Sequence, residues 1–232
     1  VLKNFYEIMK GLDQHIHFVF LTGVSKFSRV SVFSGLNNLR DITLSPKFST
    51  ITGYTESELQ TYFQLYSEAM AGELGVEKSY LIGKIKNWYN GYSWDGKNFV
   101  YNPYSILSLL TEKQFNNYWF ASGTPTFLIK MIKEYQFNIE HFEQYETNGS
   151  IFDSYDIDQI NVPSLLFQTG YLTIKTIEEM DIDLRNYVLS YPNLEVKESF
   201  LRHILTNFSQ IKTDTGIIIT KLGRSLLKND LE

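Results

Sequence analysis

Residues 16–22, IHFVFLT, make a short and almost wholly apolar run. A stretch of this length without polar alternation fits a strand covered on both faces, as in parallel sheets flanked by helices. It follows a segment, residues 2–12, in which Leu2, Phe5, Tyr6, Met9 and Leu12 recur at helical spacing. A helix followed by a doubly buried strand is the repeating half of an α/β unit. The run then ends in polar residues, Thr22, Gly23, Ser25 and Lys26. In doubly wound sheets ligands bind outside the carboxyl ends of the strands. There a hydroxyl can orient a water or touch a terminal phosphate, and a lysine can neutralise it. A plain strand exit accounts for the same four residues.

The 232 residues suffice for one large domain or two small ones, and 43% hydrophobic content supports a real core. Sixteen tyrosines and 17 phenylalanines fit large half-buried surfaces with polar tips. A net charge of −5 argues against a general nucleic-acid coat, while leaving room for a local basic patch. The absence of cysteine excludes disulfide and thiolate chemistry. No apolar run approaches the ~20 residues of a membrane span, and Lys3, Asn4 and Glu7 interrupt any signal-like N-terminus. The expectation is a soluble, cytoplasmic protein with no membrane partner. The chain begins without Met inside a helical pattern, and so reads as a fragment.

Further along, Gly35, Asn37 and Asn38 mark a turn. Thr55 and Glu58 form a capping box ahead of LQTYFQLY. The segment 75–90 reads as a helix with Gly91 at its exit, and residues 92–101 read as a hairpin turning at Asp95-Gly96. Asn102-Pro103 and Thr124-Pro125 each place a capping residue before a first-turn proline. The polar, acidic stretch 145–159 reads as a linker. Beyond it come a helix closed by Gly170, two strands joined by EMDIDLR, and a helix LEVKESFLRHILTNF capped by Asn193. Helices followed by a hairpin are the ingredients of a winged helix.

Two motifs look chemical and fail on inspection. GYSWDGKN, residues 91–98, satisfies G-x-x-x-x-G-K, but Asn98 stands where Ser or Thr would hold magnesium. Asp95 also sets a negative charge against the phosphate, and no helix follows whose N-terminus could bind the anion. A hairpin turn is preferred. LEVK, residues 194–197, with Asp181 and Asp183 upstream, imitates the acidic-x-Lys pattern of metal nucleases. That chemistry needs a strand, whereas the spacing of Phe200, Leu201, Ile204, Leu205 and Phe208 is helical, which would place Glu195 and Lys197 about 200° apart. His15 and His17 lack a third ligand at readable spacing, so no metal site is expected.

The blocks FLTGVSKFSRVSVFSGLNNLRDITL, ITGYTESEL, WYNGYSWDGKNFVYNPYSIL, NYWFASGTPTFLIKMI and YPNLEVKESFL, taken in order, resemble the bacterial AAA-ATPase-like family. These are predicted ATP-binding proteins that usually carry a C-terminal PD-(D/E)xK nuclease domain. The resemblance implies a middle fragment that lacks the Walker A and Walker B segments. Residues 1–50 would be the C-terminal part of an α/β P-loop NTPase core and 51–145 a mostly α-helical lid with a short hairpin. Residues 146–208 would be a winged-helix-like α+β segment, and 209–232 a linker towards the nuclease domain. Thr22 then matches the sensor position at the strand tip, with Ser25 and Lys26 just beyond, acting on the γ-phosphate. Arg40 and Asp41 are secondary candidates that a surface ion pair also explains. ATP and Mg would be cofactors of the full-length protein only, so the fragment alone should not hydrolyse ATP. The nuclease domain is the implied partner, with DNA and a second copy of the chain as further ones. The competing functions are DNA binding, through Lys197, Arg202 and His203, and a protein-interaction module without ATPase activity.

Overall fold

The computed structural model describes residues 8–9, 11–23, 39–121, 126–135, 137–152 and 161–208. Ser25, Lys26, the Gly35–Asn38 turn, Thr124-Pro125 and the 209–232 linker lie outside the described residues. Residues 16–23 contain neither helix nor strand. The expected strand at 16–22 is therefore not formed among the described residues, and its apolar side chains face water: Phe18 is 77% exposed, Phe20 50% and Leu21 39%. A strand exists only where a neighbour takes up its N–H and C=O groups, and no described segment pairs with this one.

From residue 54 onward the helix-capping signals are realised. Helix α1 (Glu56–Tyr62) starts with the capping box: the Thr55 amide donates to Glu58 Oε2 at 2.8 Å and Glu58 N donates to Thr55 Oγ1 at 3.2 Å. The chain breaks at Phe63 and continues as α2 (Gln64–Leu74), which Gly75 closes at φ 64°. Helix α3 (Lys78–Tyr89) follows. In α4 (Pro103–Glu112) the Asn102 side chain accepts from Tyr104 N and Ser105 N, with proline in the first turn. Two short helices, α5 (Tyr118–Ala121) and α6 (Thr126–Glu134), precede α7 (Val162–Gln168) and the long α8 (Leu194–Phe208).

Among the described residues, six short strands make two antiparallel sheets. In the first, β3 (Val100–Tyr101) lies between β1 (Tyr54–Thr55) and β2 (Asn90–Tyr92). In the second, β6 (Arg185–Ser190) lies between β4 (Tyr145–Thr147) and β5 (Thr173–Glu179). The first part of the expected linker is thus built into a sheet, with Tyr145 opposite Leu189, and Ile151 and Phe152 just beyond it are buried. The hairpin at 92–101 exists, but its connection runs from 93 to 99 rather than through two residues. Asp95 explains the longer turn: its Oδ1 accepts from Lys97 N at 2.9 Å and Asn98 N at 2.8 Å, while Ser93 Oγ accepts from Gly96 N.

Among the described residues, the buried apolar side chains fall into two clusters, and β3 separates them. Tyr101 belongs to the cluster with Leu59, Met70, Leu81, Ile85, Tyr89, Ile106 and Leu109, contributed by helices α1 to α4. Its neighbour Val100 belongs to the other, with Leu166, Leu172, Ile174, Leu189, Val196 and Phe200. Adjacent strand residues point to opposite faces, so a two-residue strand serves both cores.

Gly91 does not end α3 as its position suggests; it lies inside β2 at φ 129°. A Cβ there would come within 2.0 Å of the Pro192 carbonyl oxygen. The glycine lets β2 touch the turn that leads into α8. Gly91→Ala combines a disallowed φ with a backbone clash and should cost on the order of 3 kcal/mol, read as a lowered urea midpoint with the slope unchanged.

Candidate functional site

The terminus of the 16–22 run holds Thr22, which is exposed and outside any regular element. Arg40 is also exposed, and the Asp41 side chain accepts from the Thr43 amide at 2.9 Å. Among the described residues, no group of three or more His, Cys, Asp or Glu side chains is placed to hold a metal ion. None of the described helices is long and apolar enough to cross a membrane.

The loop with the G-x-x-x-x-G-K pattern does not fit a nucleotide. The amides of Gly96, Lys97 and Asn98 that would cradle a phosphate already donate to Ser93 Oγ and Asp95 Oδ1. Burial alone would raise the Asp95 carboxyl, but the Asn98 and Lys97 amides and the Asn98 side chain outweigh it and hold it at about 2. A permanent anion thus occupies the nest. The loop is structural. Ser93 N donates to Thr173 Oγ1 at 2.7 Å, Thr173 Oγ1 donates back to Ser93 O at 2.8 Å, and a Cβ on Gly96 would press on Ile174 and Ile177 of β5.

The most unusual chemical group lies at the start of α8. Glu195 is fully buried. Its Oε2 accepts from Ser105 Oγ on α4 at 2.8 Å, and its Oε1 accepts from the Trp119 amide in α5, also at 2.8 Å. The Tyr118 amide contributes a further hydrogen bond. Beside it, Asn193 caps α8 through Val196 N and donates from Nδ2 to the Tyr89 carbonyl of α3 at 3.1 Å. Tyr89 in turn accepts from Asn116 N and donates to Asn116 O. Burial pushes the Glu195 carboxyl up to about 7, with the Trp119, Ser105 and Tyr118 hydrogen bonds limiting the rise. Burial pushes the Tyr89 hydroxyl up, against the hydrogen bond with the Asn116 backbone, and the nearby Glu195 and Tyr118 add to the rise.

The nuclease-like pairing is absent, as the helical spacing required. Glu195 points inward, while Lys197 forms an ion pair with Glu143 at 2.6 Å. The other two residues considered for DNA contact also separate: Arg202 is exposed, and the His203 ring packs against Phe120 with centroids 5.7 Å apart. The sequence singled out Glu195 only for its spacing to Lys197. Its real partners lie 76 and 90 residues away, a separation that carries no local signal.

Comparison with known proteins gives a narrow result. Residues 1–33 match the family model described as Predicted AAA-ATPase. That segment contains the apolar run, Thr22, Ser25 and Lys26. A curated protein of Azotobacter chroococcum mcd 1, described as an uncharacterized protein in the vnfD 5' region, is 40% identical over 234 residues. The alignment covers 99% of this chain and 42% of that protein. No solved structure matches.

Glu195 offers two measurable consequences. Glu195→Ala leaves the Ser105, Trp119 and Tyr118 donors without an acceptor and should destabilise by on the order of 3 kcal/mol. The folded-state pKa of about 7 exceeds the ordinary 4.5, so between these values the native state binds more protons than the unfolded one. Its contribution therefore falls as pH rises from about 4.5 to about 7 and is constant above that. Urea unfolding across this window should show wild type losing stability relative to Glu195→Gln; parallel pH curves would refute the assignment.

Proposed function

We propose that this chain is the sensor and coupling portion of an AAA-ATPase-like, ATP-binding protein. In this reading residues 16–26 complete a nucleotide site whose phosphate-binding elements lie in other segments of a longer protein. The described helices and sheets between residues 54 and 208 relay the nucleotide state to a partner or nuclease domain. One coincidence carries the proposal. The segment that matches the ATPase family, residues 1–33, contains an apolar run whose Phe18, Phe20 and Leu21 stand in water. Burying each of these side chains in a sheet would stabilise by roughly 1.5–3 kcal/mol, so the run is suited to pairing with further strands. Thr22, Ser25 and Lys26 then follow at its polar end as the groups that meet the terminal phosphate.

ATP and Mg are the cofactors this reading requires, and the 91–98 loop is not where they bind. The order helix, strand, helix and hairpin over 126–190, with β6 between β4 and β5, supports reading the C-terminal part as a winged-helix-like module. Its helix before the hairpin, α7, is uncharged and buried from Val162 to Phe167. That favours a protein-facing module over one that reads a DNA groove with this helix.

The test uses a longer form of the protein together with this chain. Thr22→Ala or Lys26→Ala in the longer form should weaken binding of a fluorescent ATP analogue about tenfold, the loss of one charge-assisted or hydroxyl contact; unchanged affinity in both variants rejects the sensor role. This chain alone should release no phosphate from ATP above background, and a measured turnover would overturn the division of labour.

A further inference from the structure

The β5–β6 hairpin ends in an unusual turn. Met180, Ile182 and Leu184 are 63%, 99% and 53% exposed, at alternate positions. The turn beneath them is tightly closed. Met180 N and Asp181 N both donate to Leu184 O, Leu184 N donates to Asp181 O, and Ile182 N donates to Asp181 Oδ1 at 2.7 Å. Around the apolar tip stand Glu178, Glu179, Asp181 and Asp183, all exposed, with Arg185 as the one cation among residues 178–185. Arg185 lies 3.6 Å from Glu179, and Asn186 donates to Glu178.

We infer that this tip is a docking prong for a protein partner that offers an apolar pocket bordered by lysine and arginine side chains. Three large side chains held in water by an ordered turn give nothing to the chain's own core. Seated in a pocket, they would bury the surface that drives association. The backbone bonds fix the tip beforehand, so little conformational freedom is lost on docking. The four carboxylates select the partner by charge. They repel a nucleic-acid backbone and an anionic lipid surface alike. A two-fold contact between copies would set the carboxylates of one tip against those of the other. A cationic protein rim is the complement that remains. The contact is small, which points to a weak, salt-sensitive and transient association. It stands independently of the nucleotide reading, because none of its residues lies in the segment that matches the ATPase family.

The 232-residue chain can be titrated with two labelled helical-hairpin peptides of matched length, each presenting a leucine-lined groove, one rimmed by lysine and arginine and the other by glutamate. Fluorescence anisotropy should report binding of the cationic peptide only, weakened at high salt. Ile182→Asp should weaken it at least tenfold, and Asp183→Lys, which reverses a rim charge without touching the hydrogen bonds of the turn, should weaken it as well. The urea midpoints of the variants should stay at the wild-type value, since the substituted side chains are exposed. The inference is overturned if neither peptide binds, if both bind equally, or if Ile182→Asp leaves the affinity unchanged. Competition by duplex DNA at the tip, or self-association in sedimentation that Ile182→Asp abolishes, would overturn it as well.

Discussion

A carboxyl group removed from water must be met by donors, and at Glu195 they come from separate parts of the chain. Ser105 reaches it from α4 and the amides of Tyr118 and Trp119 from α5, while its own backbone sits in the first turn of α8. Asn193 adds α3 through the Tyr89 carbonyl. The four helices can therefore take only those relative positions that keep this centre satisfied. An apolar side chain would fill the space without setting an orientation. The direction of the hydrogen bonds supplies specificity that packing alone leaves open.

The same region is where the two cores meet. Tyr89 lies in the helical cluster, Tyr92 and Val100 in the other, and Tyr101 again in the first. The first sheet is small, but its central strand divides the interior, and its turn is pinned to β5 through Ser93, Thr173 and Gly96. Gly91 then allows β2 to lie against Pro192. A movement of helices α1 to α4 would reach α8 and the β5–β6 hairpin through this strand and this carboxylate.

Much of the local architecture was legible in the residues. The Thr55–Glu58 capping box, the Asn102-Pro103 helix start, the Asn193 cap, the Gly170 turn and the two strands of the β5–β6 hairpin stand where their signals placed them. These features are decided within one turn of chain, by hydrogen bonds between neighbours or by a permitted φ. The failures share a different cause. Residues 145–147 read as linker because their polarity suits water, yet β6 supplies a pairing partner 40 residues later. Gly91 read as a helix exit because the clash it avoids comes from Pro192. Asp95-Gly96 read as a two-residue turn because the reach of one carboxylate to Lys97 and Asn98 is invisible in a dipeptide.

From the sequence by itself came the elements, their caps, the apolar periodicity, and the exclusion of disulfide chemistry and of a phosphate loop at residues 91–98. Only the tertiary structure decided that Glu195 is a buried, hydrogen-bonded acid and not a nuclease ligand, and that Met180, Ile182 and Leu184 project from an acidic tip. Local order depends on groups a few residues apart, which a sequence lists side by side. The protonation of a carboxyl group and the exposure of a side chain depend on what the rest of the chain places against them in space.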